Sequence, residues 1–205
     1  MWVIKLGGSL LGSIELRHWL DLVARLSDGK VIIVPGGGVF ADAVRTAYGM
    51  TAMSETCAHD LAVNAMNQYG TLLMDMEPNL VQAHSELEIA ERGWQHRGVI
   101  WMPSQMLQRH NEEIMHSWDV TADSLAAWLA KKIGAAHLVL VKSTLPVAEA
   151  PMPELIEQGL IDTAFPHFFK DAAFTCHIVD KADYAVFANG FTESALTQVG
   201  LAVKA

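Results

Sequence analysis

The chain has 205 residues, 51% hydrophobic and 18% charged, with a formal net charge of -9; this excludes a disordered chain and argues against a basic nucleic-acid-binding surface. No apolar run reaches the roughly 18 residues needed to span a bilayer, and the opening MWVIKLGGSL lacks the long apolar stretch and cleavage site of a secretory signal. The two cysteines, Cys57 and Cys176, form no CxxC, so the expectation is a reduced, cytoplasmic protein without nucleic-acid or membrane partners.

In chain order, residues 2–6 form a short apolar run, interrupted by Lys5 and followed by glycines. Residues 14–26 have helical spacing, with Leu16, Leu20, Val23 and Leu26 in the period. Residues 30–34 are a β-branched run that ends at Pro35-Gly36-Gly37-Gly38. Residues 39–48 read as a helix. Residues 54–73 read as a longer one, with Leu61, Met66 and Leu73 on its apolar side. Residues 99–102 are strand-like, and 121–133 are helical, with Leu125, Ala126, Trp128 and Leu129 in the period. Residues 137–141 and 174–179 are strand-like, 182–188 a short helix, and 195–203 an edge strand or hairpin. Pro146, Pro151 and Pro153 mark a loop before the last third. Alternating strands and helices, with continuously apolar strands, predict an α/β fold: a three-layer αβα sandwich with a mostly parallel central sheet. One domain over residues 1–205 is expected.

Two strand-to-glycine loops carry the strongest chemical signal. The first is Lys5-Leu6-Gly7-Gly8-Ser9 and the second Pro35-Gly36-Gly37-Gly38, leading to Asp42. Glycines let backbone N–H groups approach an anion closely, and a following helix adds a favourable dipole. Neither loop is a GxxxxGK[ST] P-loop or a GxGxxG fingerprint; tight turns alone are the plainer reading. Lys5 is either a point charge on a phosphate or a strand-end lysine reaching for water. In Trp118-Asp119-Val120-Thr121-Ala122-Asp123-Ser124, Thr121 suits a helix N-cap. Asp123 would then lie in the first turn, to hold a lysine or a magnesium ion or merely to face the helix dipole. Lys142 ends a strand, where open α/β sheets bind ligands, or is an ordinary exposed lysine; Asp162 is in the plain case a helix cap. The nine histidines show no HExxH or other paired ligand spacing, and no residue is assigned as a metal ligand.

Taken in order, Lys5 to Ser9, Pro35 to Asp42 and Thr121-Ala122-Asp123-Ser124 resemble the amino acid kinase superfamily, over most of the chain. The resemblance implies an ATP-dependent kinase with Lys5 and Asp123 as catalytic residues. Gly7, Gly8, Ser9, Gly36, Gly37, Gly38 and Thr121 would hold phosphate and acceptor. Lys142, Ser143 and Asp162 would lie on the nucleotide side, with Mg²⁺ bridging the ATP phosphates. The N-terminal half is then the acceptor side and the C-terminal half the nucleotide side, in a homo-oligomer. Two departures stand out: the chain is short for the family, and it lacks the GMxxK segment that supplies a second catalytic lysine, so a second cation must come from Lys142, Lys170 or the metal. The segments GGGVFADAVR, AHDLAVNAMNQYG and HSWDVTADSLAAWLA are similar to the kinases of methanofuran biosynthesis. That implies a small phosphate acceptor carrying an aminomethyl furan, with His59, Asn64, Trp118 and Asp119 around its ring and ammonium. Uridylate as acceptor, or a non-catalytic nucleotide-binding or oxyanion-storage role on the same scaffold, are the alternatives.

Overall fold

The computed structural model describes residues 1–107, 111–146 and 150–204. The strand β1 (Trp2–Leu6) leads into a short 3-10 turn and α1 (Ile14–Leu26), whose N-terminus is capped by Ser13 accepting from the Leu16 N–H at 3.3 Å. Next come β2 (Val31–Pro35), α2 (Gly38–Met50) and α3 (Glu55–Met76), the last capped by Ser54. The edge strand β3 (Val81–Ala83), α4 (Glu86–Trp94) and β4 (Val99–Trp101) follow. Then come α5 (Ala122–Lys132), β5 (His137–Lys142), α6 (Met152–Glu157) and α7 (Phe165–Phe169). The chain ends with β6 (Thr175–Asp180), a 3-10 segment Lys181–Phe187, α8 (Glu193–Val199) and β7 (Leu201–Ala202).

The strands form one seven-stranded sheet in the order β3-β4-β2-β1-β5-β6-β7. Every pairing is parallel except the antiparallel β6–β7 edge. Side chains of a strand alternate between faces, and the two cores follow that alternation. Trp2, Ile4 and Leu6 pack with Trp19 and Leu20 of α1, Phe187, and Leu196 of α8. Val3, Leu138 and Leu140 pack on the other face with Leu125 and Trp128 of α5, Leu155 of α6 and Phe165 of α7. Helix α3 contributes to both cores, through Val63 and Met66 to one and Tyr69 and Leu73 to the other. The expected mostly parallel α/β sandwich is therefore the observed architecture.

Three local expectations need correction. Leu61 is 38% exposed, because it lies on the outer side of α3, away from Met66 and Leu73. Residues 195–203 are mainly helix α8, capped by the Thr192 hydroxyl, with only Leu201–Ala202 as the edge strand. Pro151 and Pro153 do not extend a loop but open α6, where a missing N–H costs nothing; residues 147–149 of that stretch lie outside the described residues. The short helix expected at 182–188 is present as the 3-10 helix Lys181–Phe187.

Candidate active site

The strand register sets up the site. Lys5 pairs with Leu140, and Leu6 with Val141, so Lys142 lies one position beyond the end of β1 on the neighbouring strand. Alternation puts Lys5 on the face of Val3, and Lys142 on the face of Leu138 and Leu140. Both lysines thus point from the carboxyl ends of adjacent parallel strands towards α5. The chain proceeds from β1 to β2 on one side and from β5 to β6 on the other, the reversal point where open α/β sheets bind ligands.

Asp123, in the first turn of α5, meets both ammonium groups. Lys5 Nζ lies 3.0 Å from its Oδ1, and Lys142 Nζ donates to Oδ2 at 2.7 Å. The carboxylate is 5% exposed. Burial pushes Asp123 up, but the charges of Lys5 and Lys142 outweigh it and hold its carboxyl below the usual range. Burial and repulsion from Lys5 push the Lys142 ammonium down, against the attraction of Asp123. Two ammonium groups thus share one carboxylate beside the glycine loops, an arrangement suited to an anion.

The glycine loops close over these groups. An added Cβ on Gly8 would collide with the Cα and N of Gly38, and one on Gly36 would lie 2.6 Å from the Gly8 nitrogen. The two loops touch backbone to backbone, and only glycine permits that approach. Gly38 also has φ +53 as it opens α2. Tyr69, fully buried, donates its hydroxyl to the Gly7 carbonyl at 3.4 Å; burial pushes its pKa up to about 12. The Gly36 N–H is already given to the Leu6 carbonyl at 2.9 Å. Gly36 therefore spaces the loops instead of offering the donor expected of it.

A cavity of about 390 Å³ opens at the loops, lined on the loop side by Lys5, Gly7, Gly8, Ser9, Gly37 and Gly38. Its remaining wall combines apolar Val63, Met66, Val120 and Leu125 with the polar groups of Asp42, Arg45, His59, Trp118 and Thr121. Asn64 and Asp119 are exposed and do not line it. Asn64 sits on the outer face of α3, and of the expected ammonium clamp only Trp118 lines the cavity, Asp119 being exposed outside it. The face of Trp118 instead carries Arg45, whose guanidinium carbon is 5.8 Å from the ring centroid. Arg45 also binds Asp42 at 2.7 Å. Neither Arg45 nor Tyr69 was singled out by sequence, although both lie within recognisable segments.

The remaining expected residues fall around the start of α5. Thr121 is its N-cap, but the Thr121 side chain does not do the capping. Asp162 does so from a distant segment: its Oδ2 accepts from the Thr121 N–H at 3.1 Å, the Thr121 hydroxyl at 2.8 Å and the Ser124 N–H at 2.9 Å, and Ser124 Oγ donates to its Oδ1. Burial and the neighbouring charge of Asp123 push Asp162 up, against these hydrogen bonds. With both oxygens engaged, Asp162 fixes the turn that carries Asp123 and is not free for the nucleotide contact expected of it. Ser143 is exposed, outside the cavity wall. Lys170 is exposed at the end of α7, its carbonyl facing the Lys131 ammonium. Of the two lysines expected as a second cation, Lys142 and not Lys170 lies beside Lys5, sharing Asp123 with it.

The chain belongs to the amino acid kinase family, whose sequence model, Amino acid kinase family, matches residues 1–116. It is accordingly a small-molecule phosphotransferase, and ATP is the donor that the family implies. Among proteins of known activity, it is similar to the [5-(aminomethyl)furan-3-yl]methyl phosphate kinase of Methanocaldococcus jannaschii, with 26% identity covering 88% of each chain. Among solved structures, it resembles the uridylate kinase of Archaeoglobus fulgidus, with a TM-score of 0.65 and 18% identity, covering 92% of this chain and 95% of that one. The isopentenyl phosphate kinase of T. acidophilum superposes over 100% of both chains, with a TM-score of 0.62 and 10% identity. These likenesses establish the fold. Among the described residues, no helix is long and apolar enough to cross a membrane.

Proposed function

We propose that this protein transfers the terminal phosphoryl group of ATP to the phosphate of a small amine-bearing phosphomonoester, [5-(aminomethyl)furan-3-yl]methyl phosphate, giving its diphosphate. The observation that carries this reading is the likeness to a kinase of that compound across 88% of both chains. The cavity suits such an acceptor: an apolar wall for a flat ring, and cations with backbone N–H groups for a phosphate.

Phosphoryl transfer needs alignment and cancellation of charge more than covalent chemistry, and a phosphate acceptor is already ionised, so no general base is required. Lys5 and Lys142 cancel charge on the transferring oxygens, and Asp123 holds the two ammonium groups in place. Gly7, Gly8, Gly37 and Gly38 present N–H groups to the phosphates, with Ser9 and Thr121 at the margin. The cavity wall runs from Lys5 to Leu125 and includes none of Lys142, Ser143 and Asp162 on the nucleotide side, which supports assigning the cavity to the acceptor. The nucleotide then lies beyond the ends of β5 and β6, near Lys142 and Ser143.

The side chains do not fit a protein-held magnesium ion. Both oxygens of Asp123 are taken by ammonium groups, and no three His, Cys, Asp or Glu side chains converge among the described residues. Any Mg²⁺ would be carried by the phosphates of the nucleotide, and no step above depends on it.

The test supplies purified protein and Mg-ATP with either [5-(aminomethyl)furan-3-yl]methyl phosphate or uridylate and quantifies each diphosphate. Faster turnover of the furan is expected; faster turnover of uridylate would overturn the acceptor assignment and leave the family membership untouched. Asp162→Ala checks the division of the halves. It removes the acceptor of two backbone N–H groups at α5, at a stability cost of about 1 kcal/mol or more. It should raise the KM for ATP more than that for the acceptor, because Asp162 fixes the turn that carries Asp123, the carboxylate that holds Lys142 on the nucleotide side. The reverse ranking would show the halves to be assigned wrongly.

A further inference from the structure

Two residues that line the cavity each carry a buried polar atom with no role in the phosphate chemistry. His59 is 3% exposed on α3, and its Nε2 finds no hydrogen-bond partner among the described residues; neither does Trp118 Nε1. The ring orientation of His59 is fixed by the Ser117 carbonyl, 3.2 Å from its Nδ1. A carbonyl can only accept, so Nδ1 must carry the proton and Nε2 must present a lone pair. An unsatisfied buried acceptor is costly, which calls for a donor supplied by something that enters the cavity.

The surroundings favour a cationic donor. The ring of His59 lies 4.9 Å from that of His116, whose Nδ1 is 3.3 Å from an Asp60 oxygen. Glu55, one turn earlier on α3, accepts the Trp118 N–H at 3.2 Å. Two carboxylates thus stand behind the two imidazoles. Burial, the largest influence, pushes the His59 pKa down, which keeps the ring neutral, while Asp60 and Glu55 pull the other way. The alternative places for a substrate cation, the face of Trp118 and the Asp42 carboxylate, are both already engaged by Arg45. Like charges repel, so a second cation is disfavoured there.

We propose that His59 is the residue that selects an amine-bearing acceptor, its Nε2 accepting an N–H of the substrate ammonium while the phosphate of the same molecule sits at Lys5 and the glycine loops. This inference rests on the acceptor reading above and adds the group that reads the amine. A hydrogen bond from a charged donor to a buried, otherwise unpaired acceptor is worth roughly a 10- to 100-fold preference.

The test compares kcat/KM for [5-(aminomethyl)furan-3-yl]methyl phosphate and for the analogue with methyl in place of aminomethyl, using the wild type, His59→Phe and His59→Gln. The wild type should favour the amine by roughly 10- to 100-fold. His59→Phe should lose that preference with its KM for ATP unchanged, and His59→Gln, which keeps an acceptor oxygen, should recover part of it. A Phe variant that retains the preference, or that loses both substrates equally, overturns the role of His59. A second readout needs no variant: the ¹⁵N resonance of His59 Nε2 in the wild type should move on binding the amine and stay in place with the methyl analogue. An unmoved resonance likewise overturns the proposal. Turnover of uridylate with neither furan accepted would instead overturn the acceptor reading itself, and this inference with it.

Discussion

Replacing Lys5 with alanine is expected to lower kcat by about 10²–10³, the usual loss when one preorganised charge-stabilising donor is removed from a phosphoryl or acyl transfer site. Lys5 is 9% exposed, lies on an otherwise apolar strand, and pairs with Asp123 at 3.0 Å beside Gly7. Without it, the cavity loses the ammonium group beside Gly7, and Asp123 is left to Lys142 alone. The fold should survive, because β1 keeps its parallel pairing to β2 and β5 along the backbone. The measurement is kcat at saturating ATP and acceptor, with circular dichroism as the control for folding. A folded variant within about threefold of wild type would remove Lys5 from the mechanism, since the loss expected of a transition-state donor is far larger.

Lys142→Met should lower kcat by about 10²-fold, for the same electrostatic reason. The more telling result is the combination. Lys5 and Lys142 share one carboxylate, so their losses should not add, and the double variant should be little worse than the more damaging single one. Lys142 also predicts a pH dependence. Burial and Lys5 hold its pKa below the usual lysine range, so it loses its charge at a lower pH than an exposed lysine would, and kcat should fall on the alkaline side. Arginine stays protonated throughout that range, so Lys142→Arg should flatten that limb even where its altered geometry lowers the rate. Fully additive losses, or an alkaline limb that persists in the arginine variant, would show that Lys142 acts elsewhere.

The contrast between these two lysines shows how far the sequence could be read. Lys5 stands out because a charge breaks an apolar run immediately before a glycine pair, a local pattern that a single segment displays. Lys142 ends an equally apolar strand, but its partnership with Lys5 depends on β1 lying beside β5 in a given register, across more than a hundred residues of sequence. Asp162 shows the same limit: a cap for a helix 38 to 41 residues earlier leaves no local trace. Adjacent residues mislead in the opposite way, as Trp118 turns into the cavity while Asp119 turns outwards.

Among the elements, β1, α1, β2 and α3 were legible because long apolar periods and Ser caps agree with the packing they meet. The edge strand β3 was not, since three half-exposed or mixed residues carry no period. Helix α4, by contrast, carries a local signal in its sequence. Ser85 accepts from the Glu88 N–H at 3.2 Å, and Glu88 reaches back to the His84 N–H at 2.8 Å, a variant of the capping box.

Passage of the ATP phosphoryl group to another phosphate at the Lys5–Asp123–Lys142 cluster can be followed by ³¹P NMR of purified protein with Mg-ATP and [5-(aminomethyl)furan-3-yl]methyl phosphate. The acceptor monoester signal should disappear as two mutually coupled diphosphate resonances grow in step with ADP, for wild type and not for Lys5→Ala. Release of inorganic phosphate alone, or the same diphosphate signals at an equal rate from Lys5→Ala, would contradict transfer at that cluster.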